Sequence, residues 1–326
     1  MKLSGFLLIA ATLIAGNAAA ESVEQWLLRM DHAVASISYT GTLISMGNNR
    51  VDTLRILHRV DDRGVRERIY ALDGPAREVL RDRDQVTCLI SGQASVVVNN
   101  PFPSQLLPRI PLEDILGPDS VYRIQAAGSG RVAGREARII EILPTDRFRY
   151  GRRLWLDQST AMLLRSVLFD AGGEVVETLS FVDIELGASI SDQELLPELE
   201  NPSRIARYQE TGQNAAGVAA SQTPSWIPEA LPEGFRLTSV GRGGVADQAY
   251  EHLLFSDGLA SFSIYIEPEG SGSISEQLET LGAMHIYTGS IDGRMITVVG
   301  EVPAPTVSMI GRHLRRLEYP VLRHLD

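Results

Sequence analysis

The sequence predicts an α+β protein. An N-terminal antiparallel sheet curls over helices into an unclosed β-barrel, and a smaller α+β domain follows it. Three observations predict this. The first is the stretch Arg131–Leu186, where the segments ARIIEIL, RRLWLD, MLLRSVLFD and EVVETLSFVDIEL alternate apolar with polar residues. Alternation of that period marks antiparallel strands with one covered and one wet face. It puts Leu154 with Leu156, Leu163 with Val167 and Phe169, and Ala137 with Ile139 on shared faces. A face carrying Arg138, Arg153, Arg165, Asp157 and Glu177 cannot also be core, so something apolar must lie against the other one. The second is the shortness of the turns between strand candidates, which forces neighbours to run antiparallel. About ten such strands in one sheet are expected to curl. The third is a change of character after Gly187, where a polar, small-residue stretch separates the first pattern from a second one beginning at Trp226.

The elements follow in order. Residues 1–20 carry Lys2, an apolar run from Phe6 to Ile14 and Ala18-Ala19-Ala20, the pattern of a cleaved secretory signal. That run is shorter than the roughly 18 apolar residues of a membrane span, and no cysteine follows it for lipid attachment. From Ser22 to Ser36 the residues Trp26, Met30 and Ala33 recur at helical spacing behind a Ser22 N-cap, so an amphipathic helix is expected to rest on the sheet. Strand candidates ISYTGTLISM, VDTLRILHRV, VRERIYAL, AREVLRD, QVTCLI and ASVVVN come next, divided by the turn sequences GNN, DDRG, Asp73-Gly74-Pro75, RDRD and SGQ. Between Asn99 and Asp119 five prolines rule out a central strand. The same segment is strongly apolar, so short helices or turns lying on the sheet are expected. Sheet pattern runs again from Val121 to Leu186, with hairpin breakers at Ala133-Gly134, Pro144 to Arg147 and Gly172-Gly173.

The domain boundaries read as 21–190 for the curled-sheet domain, 191–224 for a linker and 225–326 for the small domain. In the last, hairpins close at Ser256-Asp257-Gly258 and at Asp292-Gly293, and helices are expected over Ile274–Leu281 and Pro303–Leu317.

Lys2 is the only lysine, so the mature chain carries 29 arginines against 41 acidic residues, an acidic balance that argues against nucleic acid as a partner. The single Cys88 rules out an internal disulfide, and its place in QVTCLI suits a small buried side chain. His32, His58, His252, His285, His313 and His324 show no zinc spacing. His58, at a strand end beside Arg59, is expected to hydrogen-bond locally. The run Gly128–Gly134 resembles a dinucleotide loop only superficially, because strands rather than a helix follow it. No nucleophile elbow occurs, and His252, Ser256 and Asp257 sit in what reads as a plain turn. The residues point to a binding protein, with no catalytic, cofactor or metal residues to name.

Several long phrases carry a family resemblance: LRILHRVDDRGVRERIYALDGPAREVLRDRDQVTC, GSGRVAGREARIIEILPTDRFRYGRRLWLDQSTAMLLRSVLFDAGGEVVETLSF, WIPEALPEGFRLTS, LLFSDGLASFSIYIEP and ITVVGEVP. In this order, from about Trp26 to Leu317, they resemble the RseB/MucB family of periplasmic negative regulators of the sigma-E type envelope-stress response. The resemblance implies an N-terminal domain shaped like the lipoprotein carriers LolA and LolB. It implies binding to the periplasmic part of a membrane anti-sigma factor, RseA or MucA, which is thereby shielded from the site-1 protease. It further implies release when lipopolysaccharide (lipid A) or lipoprotein acyl chains bind, and no catalysis.

On that reading an apolar concavity is expected to be lined by Phe102, Leu106, Leu107, Ile110 and Leu116 of the proline segment and by Leu154, Leu156 and Leu164 of the strands. Arg149, Tyr150 and Arg153, concentrated in RFRYGRR, are the expected partner-binding residues. The choice between monomer and homodimer stays open. Two rivals remain: a lipid or lipoprotein carrier without a regulatory role, and a periplasmic hydrolase using His252 and Ser256.

Overall fold

The computed structural model describes residues 21–47, 50–82, 85–90, 95–99, 107, 110–199, 205–209, 223–243, 250–268 and 275–317. The chain starts with helix α1 (Val23–Ser36). Ser22 caps it in a full capping box: the Gln25 N–H donates to Ser22 Oγ (3.2 Å) and the Ser22 N–H to Gln25 Oε1 (2.8 Å). Its apolar stripe of Trp26, Leu27, Met30, Ala33 and Val34 is buried.

What α1 covers is a twelve-stranded sheet. Six strands precede the proline segment: β1 (Tyr39–Gly47), β2 (Arg50–Asp61), β3 (Gly64–Ala71), β4 (Arg77–Asp82), β5 (Gln85–Ile90) and β6 (Ser95–Asn99). After the short helix α2 (Leu112–Ile115) come β7 (Tyr122–Val132), β8 (Arg135–Pro144), β9 (Gly151–Asp157), β10 (Leu163–Phe169), β11 (Val175–Leu186) and, later, β12 (Ile205–Gln209). The order is β12-β6-β5-β4-β3-β2-β1-β11-β10-β9-β8-β7, so two meanders are joined where β1 pairs with β11, Tyr39 opposite Leu186. The sheet ends on β7 and β12 without closing, and β12 is parallel to β6 while the other pairs are antiparallel.

One face of this sheet is dry. Tyr39, Leu43, Ile56, Ile140, Ile142, Leu154, Leu156, Leu163 and Phe181 pack with the α1 stripe and with Leu107, Ile110 and Ile115 in one cluster. The opposite face carries Arg153 and Trp155 of β9. A bulge sits at Leu164, between the pairs Leu163–Leu156 and Arg165–Trp155. One extra residue swaps every later side chain to the other face. Val167 and Phe169 therefore stand together beside Arg153, as expected, whereas Leu163 faces the core.

Residues 187–199 do not leave the sheet. Ala188 and Ile190 are buried against Leu57. Arg59 donates to the Ile190 carbonyl (2.8 Å), Arg68 to that of Glu194 (3.1 Å), and the buried Glu78 accepts the Glu198 and Leu199 N–H groups (3.1 and 3.0 Å). The first part of the stretch whose composition suggested a linker is thus a strap clipped to the outer face.

The small domain holds β13 (Trp226–Pro228), β14 (Arg236–Gly243), β15 (Tyr250–Ser256), β16 (Ser261–Pro268), β17 (Gln277–Leu281), β18 (Met284–Ile291), β19 (Arg294–Gly300), α3 (Ala304–Arg312) and β20 (Leu314–Arg316). Six of these strands form a sheet of order β14-β15-β16-β19-β18-β17, and β13 pairs with β20. Val307 and Ile310 of α3 close a core with Leu253, Phe255, Phe262, Ile264, Ile296 and Val298. The two helix expectations need correction. Residues 277–281 form a strand, because the turn at Gly282 (φ 63°) folds them back onto β18 with Leu281 opposite Met284. The last helix stops at Arg312, because Leu314–Arg316 pair with Trp226–Pro228.

Candidate functional site

The turn between β8 and β9 carries RFRYGRR, and the structure drives its central arginine inward. Arg149 is 0% exposed. Its guanidinium donates to Asp146 (Nε to Oδ1 3.1 Å, Nη2 to Oδ2 2.9 Å), to Asp257 of the small domain and to the Glu233 carbonyl (2.6 Å). It also stacks over Phe235, 4.7 Å from the ring centre. Asp257 is equally filled. Besides Arg149 it accepts the Tyr122 hydroxyl (2.8 Å) and the Leu259 and Ala260 N–H groups (2.9 and 2.7 Å). Burial, then the Asp257 charge, pushes the Tyr122 hydroxyl far above its ordinary pKa, so it stays a donor. Tyr122 also belongs to the large domain's core, so one side chain belongs to both units. Around this centre lie Arg236–Asp114 (2.7 Å), Arg152–Glu301 and the Thr306 hydroxyl on the Phe148 carbonyl (2.9 Å). The two domains are joined by a polar knot that is dry and mutually satisfied at its Arg149–Asp257 centre and solvent-exposed at its edge.

Arg149 is therefore not a rim residue. Its charge has no water to return to, and it serves the chain itself. Tyr150 is buried with Leu168 and Ala283, its hydroxyl 3.3 Å from His285 Nδ1 and pushed up to about 12 by burial and then by Glu301 and Asp170. Of the three expected partner residues only Arg153 stays open, on the outer face, paired with Glu141 at 2.6 Å.

The expected pocket lining divides in the same way. Leu107, Ile110, Leu154 and Leu156 are buried in the main core under α1, so among the described residues they fill the concave face instead of lining a hollow. Leu164 belongs to a small cluster with Val132, Ala137 and Trp155, because the bulge turns it away. Leu116 is exposed. Phe102 and Leu106 lie outside the described residues.

Among the described residues, open volumes lie on other surfaces. A cleft of 790 Å³ runs between the strap and the outer face, edged by Arg55, Leu57, Tyr70, Glu185, Ile190 and Glu198. A second, of 290 Å³, lies in the small domain among Trp226, Tyr250, Glu251, Ile266, Arg294 and Arg316.

Sequence reading missed a buried polar row on successive strands: Tyr39, His58, Glu67 and Arg81 stand opposite one another across β1 to β4. Tyr39 stacks on His58 (4.7 Å between ring centres), and His58 Nδ1 meets Glu67 Oε2 at 2.9 Å. The signal was available, since closing the hairpin at Asp61 and Gly64 puts His58 opposite Glu67 by counting alone.

The two residues of the hydrolase rival, His252 and Ser256, are each engaged with other groups. His252 Nε2 meets Ser263 (2.9 Å), the Ser256 hydroxyl donates to the Ala260 carbonyl (3.0 Å), and Asp257 is committed to the junction. Among the described residues no group of three or more His, Cys, Asp or Glu side chains is placed to hold a metal ion, and no helix is long and apolar enough to cross a membrane.

Comparison with known proteins agrees with this two-unit construction. A family model described as the MucB/RseB N-terminal domain matches residues 22–199, and the MucB/RseB C-terminal domain matches 220–315. The sigma factor AlgU regulatory protein MucB of Pseudomonas aeruginosa is 32% identical, over 97% of this chain and 98% of that protein. The sigma-E factor regulatory protein RseB of Escherichia coli is 27% identical, over 95% and 96%. A crystal structure of MucB in complex with MucA(peri) superposes with a TM-score of 0.71 at 30% identity, covering 91% of this chain and 100% of that one.

Proposed function

The chain belongs to the MucB/RseB family, and from that premise we propose that it is an exported, periplasmic regulator without catalytic activity. It holds the periplasmic segment of a membrane anti-sigma factor of the RseA/MucA kind, keeps the site-1 protease from it, and gives it up when acyl chains of lipopolysaccharide or lipoprotein bind. The likeness to a MucB solved with MucA(peri), across nearly the whole chain, carries this reading.

The physical account rests on linkage. For lipid to act as a signal, its site and the partner's site must oppose one another, and the opposition is reciprocal. Each buried methylene supplies about 0.8 kcal/mol, so a handful outweighs the ~1–3 kcal/mol usual for coupling between sites. The concave face of the described chain is filled by α1 and by Leu107, Ile110 and Ile115. An acyl chain therefore enters by displacing side chains already there. The four-residue α2 has few backbone bonds to hold it, and Tyr122 passes any shift of this core on to Asp257 across the domain junction. Arg153, the open member of the expected partner set, is the first residue to test for contact.

The deciding experiment incubates the periplasmic segment of the organism's own anti-sigma factor with site-1 protease, with and without this protein, and then with lipid A. Slower cleavage that lipid A restores is the expected result, with Arg153→Ala protecting less well. Cleavage at the same rate in all three mixtures refutes the proposal.

A further inference from the structure

The 290 Å³ pocket of the small domain has a floor and a rim of different chemistry. Trp226 and Ile266 form the floor and are buried, 6% and 3% exposed. They belong, respectively, to the β13–β20 ladder and to β16 of the six-stranded sheet. On one wall the buried Glu251 accepts the Ser225 N–H (2.8 Å) and Arg242 Nη2 (2.8 Å), and the same Arg242 nitrogen also reaches the Thr223 carbonyl (2.8 Å). That wall is closed within itself. The rest of the rim is Gly243, Tyr250, Asp292, Arg294 and Arg316. Among the described residues neither Arg294 nor Arg316 has an ion pair or a hydrogen bond from its side chain, which sets them apart from Arg149, Arg242 and Arg312.

A guanidinium presents five donors in a planar fork that fits a carboxylate with two parallel bonds. Two such forks left open over an aromatic and aliphatic floor form a receptor with a definite preference. We propose that this pocket docks an acidic peptide segment: a carboxylate lies between Arg294 and Arg316, and a neighbouring apolar side chain rests on Trp226 and Ile266. The mature chain is strongly acidic, so an acidic partner is repelled by most of the surface, and a local pair of open arginines then selects where it lands. The volume suits one or two side chains, not a long acyl chain. This rests on the proposed function in one respect, that the peptide belongs to the anti-sigma segment.

The test is isothermal titration of the full-length mature chain against that segment, comparing the native protein, Arg294→Ala with Arg316→Ala, and the exposed control Arg63→Ala. Circular dichroism checks that each folds. The double variant is expected to bind at least about tenfold more weakly, with a shallower salt dependence, and the control to bind as the native chain does. A second arm uses a hexapeptide of alternating Glu and Leu and its Gln-for-Glu analogue. Binding of the acidic peptide alone, lost in the double variant, supports the pocket even if the anti-sigma segment does not bind, in which case the proposed function fails and the pocket stands. Native-strength binding of both ligands by the double variant overturns the inference. So does a native chain that binds neither ligand, or a double variant that loses only binding to vesicles of anionic phospholipid.

Discussion

At the domain junction every polar arm of Arg149 ends on the chain itself, whereas in the small-domain pocket Arg294 and Arg316 end on no described group. Both places hold arginine and aromatic side chains, so composition does not separate them. The difference lies in desolvation. Asp146, Asp257 and the Glu233 carbonyl surround Arg149, and that set of partners is what allows a guanidinium to be fully buried. Arg294 and Arg316 stay at a solvent-facing rim, where their bonding capacity remains available to another molecule. A buried, saturated arginine maintains architecture; an exposed, unsaturated one can recognise.

The largest effect expected from this contrast is at Arg149. Arg149→Ala leaves the Asp257 carboxylate buried without its cation and should cost about 3–5 kcal/mol in urea unfolding. Arg149→Met combined with Asp257→Leu, which removes both charges, should recover much of that. A single-variant cost below about 1 kcal/mol would mean that water reaches the junction, and the contrast with Arg294 would collapse. Next comes Leu154→Ala, expected to cost about 2–5 kcal/mol because the side chain is completely buried in the main cluster. Leu116→Ala, exposed, should stay within about 0.5 kcal/mol. If Leu154→Ala leaves stability intact and weakens only lipid binding, Leu154 lines a hollow instead of filling a core.

The strands were legible because turn chemistry and alternation are local. DDRG and Asp292-Gly293 closed the hairpins they promised, and the Ser22 capping box fixed where α1 begins. What depends on residues far apart in sequence was not legible. Nothing around RFRYGRR shows that Asp257, 108 positions later, will bury its central arginine. The short motif QLETL has leucines three apart, which suits a helix as well as a strand, and only pairing with β18 decides. The bulge at Leu164 has no signature in its own residue type, so the face assigned to Leu163 and Leu164 was reversed by a feature visible only in the register. Of RFRYGRR, the sequence shows the concentration of basic and aromatic side chains but not that Arg149 and Tyr150 turn inward while Arg153 stays exposed.

Asp157 offers the smallest and most selective comparison, a carboxylate that is saturated where Asp292, on the pocket rim, is open. It sits at the β9–β10 turn, 2% exposed, and takes Arg135 Nε (2.6 Å), the Ser159 and Thr160 hydroxyls (2.8 and 2.9 Å) and the Thr160 N–H (2.9 Å). Burial alone would favour the neutral acid. Arg135 and the turn donors outweigh it and hold the carboxyl well below the usual range. A carboxyl depressed in the folded state stabilises fully above its unfolded pKa, about 3.9, and that contribution erodes as the pH falls through the folded value. Asp157→Asn should therefore lower stability at pH 7 by about 1–3 kcal/mol, the range for losing charge-assisted hydrogen bonds. The gap from the native protein should narrow only below about pH 4. Asp292→Asn at pH 7, with no described partner to lose and a backbone (φ 51°) that Asn also adopts, should stay within about 0.5 kcal/mol of the native protein. Parallel curves for native and Asp157→Asn down to pH 2 would show that the turn is held by its backbone and not by the carboxylate.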